Sequence, residues 1–213
     1  LHWLVDRALI AVGLLCGPEP QEPADRVTPW LRQETLRARV LALSRLYKYE
    51  FMFRVDAPFD RIFDEVLADM VAQGELARDG ERVVVGPGRD GLDGLGWVTF
   101  FAALVRNFID AYRVAARSLG LLVKGPLEEK ELVARALRAG ERMFLQGEIE
   151  RSEAVCRPVL VNALTSFVDQ GYLVREKSSL ALSDTFRSEE GAAAVEARVS
   201  AYLAGQFVDT PWG

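Results

Sequence analysis

Ile62-Phe63-Asp64-Glu65-Val66-Leu67-Ala68-Asp69-Met70-Val71-Ala72-Gln73-Gly74-Glu75-Leu76-Ala77-Arg78 aligns without a gap on Val159-Leu160-Val161-Asn162-Ala163-Leu164-Thr165-Ser166-Phe167-Val168-Asp169-Gln170-Gly171-Tyr172-Leu173-Val174-Arg175, 97 residues further on. The identical pairs are Leu67/Leu164, Val71/Val168, Gln73/Gln170, Gly74/Gly171, Leu76/Leu173 and Arg78/Arg175, and at the same offset Val83–Val85 falls on Leu180–Leu182. Each copy reads as an amphipathic helix, a glycine stop and a small hairpin, preceded by another helix. That is the order of a winged helix, although any amphipathic helix ending in glycine before a hairpin shares some of these positions. The expected fold is mainly α with small β-hairpins (α+β), with two winged-helix-like halves around a long central helix.

The first unit spans residues 25–85. Asp25 and Thr28 are N-cap candidates, Pro29 suits a first helical turn, and a helix runs from there to about Tyr49. Phe51 to Val55 reads as a short strand. Asp56-Ala57-Pro58 precedes a helix from Phe59 to Gln73, and Asp79-Gly80 turns the hairpin. Residues 86–96 hold five glycines and one proline, which predicts a flexible linker and the internal boundary.

A central helix is expected over 97–123, with Trp97, Phe100, Phe101, Leu104, Val105, Phe108, Ile109, Tyr112 and Leu119 in an apolar stripe. Arg106, Asp110, Arg113 and Arg117 form an opposing charged stripe. Aromatics facing arginines also suit a membrane-interface helix, but Asp110 among the arginines favours a core helix with a solvated edge.

The second unit spans 126–204. Its helix from about Leu127 to Leu145 carries Glu128 and Glu129 in the first turn, where acids complement the helix dipole. Ser152 caps a helix from Glu153 to Asp169, with Pro158 kinking it or splitting off a first turn. A hairpin and a helix from Glu189 to about Leu203 come next, and 205–213 is a tail. At the other end, residues 1–16 are the end of a helix from an upstream region, stopped by Pro18, Pro20 and Pro23.

Composition narrows the function. Of 213 residues 50% are hydrophobic and 27% charged, which are globular proportions, and the net charge of −5 repels phosphate backbones. Nucleic acid is not an expected partner. Cys16 and Cys156 are far apart without metal spacing and read as free, buried thiols rather than a disulfide. No apolar run is long enough to span a bilayer.

Site patterns are missing. There is no dinucleotide or phosphate-loop glycine motif, no nucleophile elbow and no zinc spacing. The single histidine, His2, shares a helix face with Asp6, an incidental pair at the chain's edge. Asp64-Glu65 and Glu128-Glu129 read as solvated helix faces. The expectation is no catalytic residue, no metal, no cofactor and an unknown substrate-binding set.

Several segments in order carry a resemblance. They are Lys48-Tyr49-Glu50-Phe51-Met52-Phe53-Arg54 with Pro58-Phe59-Asp60, then Arg106-Asn107-Phe108-Ile109-Asp110-Ala111-Tyr112-Arg113. Lys124-Gly125-Pro126-Leu127 and Phe167-Val168-Asp169-Gln170-Gly171 complete the set. From about Leu4 to Leu203 the chain resembles the C-terminal region of the glycerol-3-phosphate and dihydroxyacetone-phosphate acyltransferases. The resemblance implies a parent enzyme of phospholipid synthesis that moves an acyl group from a thioester to glycerol 3-phosphate. Its His-x-x-x-x-Asp site is not in this stretch, because five positions after His2 stands Arg7. The resemblance therefore implies a non-catalytic domain, inactive alone. Its partner is an upstream catalytic domain of the same polypeptide, at the cytoplasmic face of a membrane. The rival expectation is a tandem winged-helix module binding protein or, less well, DNA. The helix entering a groove would carry Asp60, Asp64, Glu65 and Asp69, with Arg61 its base.

Overall fold

A computed structural model describes residues 2–16 and 29–202 of the chain; of His2 and Trp3 it describes the backbone. The described residues are mainly helical, with two small antiparallel sheets. They form two compact units. The first is drawn from residues 2–16, 29–45, 51–105 and 201–202, the second from Leu46–Glu50 and Arg106–Ser200.

In the first unit, α1 (His2–Leu15) is followed by β1 (Trp30–Arg32), α2 (Gln33–Leu46), α3 (Phe59–Ala72), β2 (Leu76–Asp79), β3 (Arg82–Val85) and α4 (Gly94–Ala103). The sheet order is β1-β3-β2. From Ala8 to Val12 every side chain of α1 is buried, and α1 packs on α3 and α4. A helix apolar on all sides has to sit at the centre of its core. Around it lie Leu31, Leu36, Leu67, Met70, Val83 and Val98.

The second unit repeats the order. It runs α5 (Arg106–Ser118), β4 (Leu127–Glu128), α6 (Glu129–Leu145), α7 (Arg157–Asp169), β5 (Leu173–Glu176), β6 (Ser179–Leu182) and α8 (Glu189–Ser200), with sheet order β4-β6-β5. Now α5 is central, packed on α6, α7 and α8. Its Tyr112 heads an aromatic series: Tyr47 to Tyr112 is 4.7 Å between ring centroids, Tyr112 to Phe167 5.9 Å, and Phe167 to Tyr172 5.9 Å. Edge-on pairs at these separations add to the burial of the rings themselves.

The offset of 97 residues persists in the structure: β2 and β5, and β3 and β6, begin and end in register. Gly74 and Gly171 stop α3 and α7 with φ of 76° and 75°. Gly74 N–H donates to Val71 O and Glu75 N–H to Met70 O, and Gly171 and Tyr172 repeat both bonds to Val168 O and Phe167 O. These paired bonds satisfy the last carbonyls of each helix and need the left-handed conformation that glycine takes without cost. The first strands align at an offset of 96, since Leu31 pairs Val83 and Leu127 pairs Leu180. The two copies therefore differ by one residue between the first strand and α3.

Several expectations need correction. No helix starts at Pro29; β1 intervenes, and α2 runs from Gln33 to Leu46, short of Tyr49. Asp25, Thr28 and residues 205–213 lie outside the described residues. Phe51 to Val55 pairs with no strand among the described residues. Pro158 sits in the first turn of α7, with Ser152–Ala154 as a separate 3-10 turn.

The 86–96 segment is not where the units divide; that falls between Val105 and Arg106. Its glycines serve close packing: a Cβ on Gly86 would lie 2.3 Å from Gly74 O, and one on Gly94 2.2 Å from Gly86 O. Only hydrogen fits between backbones so close. The single helix expected over 97–123 is α4, then α5, then a 3-10 turn over Leu119–Lys124. At the break, Leu104 and Val105 N–H donate to Phe101 O and Ala102 O, three residues back, so the helix tightens and ends.

Candidate functional site

Three polar clusters occupy the places where a site would be sought. In the first unit, Arg7 is 4% exposed on α1 and Glu75 fully buried at the exit of α3. The Arg7 guanidinium donates to Glu75 Oε2 and to Asp69 Oδ2. Arg89, from the glycine-rich segment, donates to Glu75 Oε1 at 3.0 Å and lies 4.3 Å over the Trp97 ring. Trp97 Nε1 donates to Arg89 O at 3.1 Å. Two guanidiniums thus share Glu75, with Asp69 and Asp90 adding negative charge. A buried charge in this state is held by its partners, although Arg89 Nε is buried without one.

The second cluster corrects the reading of a solvated stripe on α5. Arg106 is 8% exposed and Asp110 fully buried, with Arg106 Nε 3.3 Å from Asp110 Oδ2. Arg113 donates to Glu148 O at 2.7 Å, and Arg117 spans Glu148 at 2.6 Å and Glu196 of α8 at 2.7 Å. α6, α7 and α8 pack on α5, so Arg106 and Asp110 are buried, while Arg113 and Arg117 stay partly exposed and pair with carboxylates. Burial pushes the Asp110 carboxyl up, against the pull of Arg106.

The third cluster explains the Lys48-Tyr49-Glu50 segment. Ser166 Oγ donates to Leu46 O at 2.6 Å, Asn162 Nδ2 to Tyr49 O at 3.2 Å, and Tyr49 Oη to Asp169 Oδ2 at 2.5 Å. Lys48 Nζ lies 2.5 Å from Asp169. These bonds staple the segment along α7. Glu50 accepts from Asn162 at 3.3 Å, and burial raises its carboxyl above the usual range. Asp169 is held below it by Lys48 and Tyr49.

Three of the remaining sequence acids are likewise engaged. Asp64 takes Arg37 at 2.5 Å, Glu65 takes Arg54 at 2.9 Å, and Glu129 takes Arg175. Cys16 and Cys156 are free thiols, and burial pushes the Cys16 thiol up, away from reactivity. The His2 side chain lies outside the described residues; Asp6 is half-buried on α1. Among the described residues no three His, Cys, Asp or Glu converge as metal ligands, and no helix is long and apolar enough to cross a membrane. A groove of about 420 Å³ on the second unit is lined by Glu141, Phe144, Leu145, Ser152 and Val155.

Sequence reasoning passed over Glu75 and Arg89. The available signal was in the repeat: a carboxylate stands directly after the glycine stop where the second copy has Tyr172. Arg7 it noted as the residue that spoils a His-x-x-x-x-Asp pattern; the structure uses it as the buried partner of Glu75.

Residues 1–176 match the family described as the glycerol-3-phosphate acyltransferase C-terminal region. "Putative acyltransferase plsB1" of Mycobacterium bovis and its namesake in Mycobacterium tuberculosis are each 26% identical over 164 residues, 77% of this chain and 25% of theirs. The chain spans about a quarter of the length of these relatives. A match running through both units, and through the three polar clusters except for Glu196, means that this chain belongs to the glycerol-3-phosphate acyltransferase C-terminal region family.

Proposed function

We propose that this chain is the non-catalytic C-terminal domain of a glycerol-3-phosphate 1-O-acyltransferase-like enzyme of phospholipid biosynthesis. It packs on the catalytic domain of the same polypeptide and positions it at the cytoplasmic face of the membrane, as a peripheral element. The observation that carries the reading is that the buried acids and arginines of both units pair with one another, within a family described as the C-terminal region of the acyltransferases. Acyl transfer by this machinery calls for a histidine base, and His2 has Arg7, not aspartate, five positions on. The test compares the whole polypeptide with one cut before Leu1, assaying acyl transfer to glycerol 3-phosphate and sedimentation with membranes. Loss of activity or membrane retention supports the reading; a truncated enzyme that is fully stable, membrane-bound and active defeats it.

A second reading, a tandem winged-helix module for protein binding, draws on the repeated helix-strand-helix-helix-hairpin order with matching strand orders. DNA is disfavoured, because Asp60, Asp64, Glu65 and Asp69 are each more than a third exposed on α3. A low-salt gel shift with random duplex showing tight binding would reverse that order.

A further inference from the structure

The two units allow one surface to be judged against an internal control. The helices that close them, α4 and α8, correspond at the same offset of 97, and buried Val98 and Ala102 match buried Val195 and Val199. Each packs on the central helix of its own unit. Their outward faces differ. On and beside α4, Leu92 is 36% exposed, Leu95 39%, Phe100 48% and Leu104 40%, and Trp97 is half-buried beside Phe100. At the positions of Leu92, Trp97 and Phe100 the second unit carries Glu189, Ala194 and Ala197, and the position of Leu104 falls on Ala201 just after it; all four are exposed. From Gly94 to Val105 there is no charged residue, whereas α8 has Glu189, Glu190, Glu196 and Arg198. The fold closes equally well with a small, polar outer face. Bulky apolar side chains there serve something other than the folding of the unit.

We propose that the surface of Leu92, Phe100 and Leu104 on and beside α4 is where the catalytic region of the same polypeptide docks. The proposal rests on the reading above and names its contact. The exposed apolar side-chain area is on the order of 300 Å². Two free copies need roughly 800 Å² each for a stable interface. Domains of one chain hold together with less, because the tether raises the effective concentration. A lipid surface is the weaker occupant: α4 offers no cation, Asp90 and Asp93 precede it, and Arg89 is spent on Glu75 and Asp90.

The experiment is hydroxyl-radical footprinting of Trp97 and Phe100 in the whole polypeptide and in this 213-residue chain alone, with Phe100→Ser/Leu104→Ser in parallel. Protection in the whole polypeptide of about tenfold over the lone chain is expected. The double variant is expected to lose that protection and to release this region faster under limited proteolysis. In the lone chain it should keep the melting profile of the parent, and Ala197→Ser on α8 should change none of these readouts. Equal reactivity in both forms overturns the proposal. So does a lone chain that dimerises, or sediments with lipid vesicles, through Phe100 and Leu104. If the native polypeptide is no longer than this chain, the proposed function itself fails. If it is longer and loses activity on truncation while Phe100 stays reactive, only the docking surface fails.

Discussion

The first unit puts a carboxylate where the second puts a phenol. Glu75 and Tyr172 follow the same glycine stop, both buried, each directly before a strand that begins in register with the other. Around Glu75 the core recruits Arg7 and Arg89; around Tyr172 it recruits the rings of Phe167 and Phe186, the latter 5.1 Å away. One backbone thus tolerates an ionic or an aromatic centre. The hairpin and the glycine stop are shared because backbone hydrogen bonds impose them; the centres differ because either one satisfies its own surroundings.

The largest effect that would sharpen this contrast is at Glu75. Glu75→Ala leaves Arg7 buried without its main partner and should destabilise the chain by about 3–5 kcal/mol in urea unfolding. Arg7→Met with Glu75→Leu should recover most of that loss, since an apolar pair of similar volume carries no desolvation penalty; no recovery would mean the ion pair has a further task.

Next come the two stops. Gly74→Ala and Gly171→Ala each force alanine into the left-handed region, at roughly 1–2 kcal/mol. A Cβ on Gly74 also lies 3.0 Å from Gly88 O, while one on Gly171 meets open space. Gly74→Ala should therefore cost more, and equal costs in a matched denaturation would remove the distinction between the two exits.

The Glu50 cluster has a pH signature of mixed sign. Burial raises the Glu50 carboxyl, so its contribution is fully present below the ordinary glutamate range and fades as pH rises through the raised value. Asp169 is lowered, so its contribution is present above the ordinary aspartate range and fades as pH falls through the lowered value. Glu50→Gln should raise the melting temperature at neutral pH and leave it unchanged in acid, whereas Asp169→Asn should lower it at neutral pH. A Glu50→Gln shift that does not vary with pH would refute the assignment.

The smallest effect is at the hairpin tips. Gly80 has φ of 59° and its counterpart Lys177 a φ of 55°. Lys177→Gly should stabilise by about 0.5–1 kcal/mol, because only glycine takes that conformation without strain, less its larger unfolded-state entropy. Destabilisation instead would show that the Lys177 side chain makes its own contribution.

Much of the scaffold is legible in the amino-acid order. The glycine stops, both hairpins, α3 and the repeat can be read there because local backbone chemistry specifies them. The elements that escape such a reading depend on partners remote along the chain. Strands β1 and β4, of three and two residues, exist only because a hairpin edge about 50 residues away accepts them. The break after Ala103 carries no proline or glycine to mark it; Val98 and Phe101 are buried in one core, Ile109 and Tyr112 in another.

The amino-acid order alone determined the periodicity, the stops, the duplication and the absence of a histidine-carboxylate site with the required spacing, since each is a matter of residue type and distance along the chain. Only the tertiary structure decided that Arg106 and Asp110 are buried, that Glu75 joins Arg7 to Arg89, and that the glycines of 86–96 bring backbones together rather than link domains. Charge pairing and close approach depend on what a fold brings within a few ångströms, and spacing along one chain does not encode that.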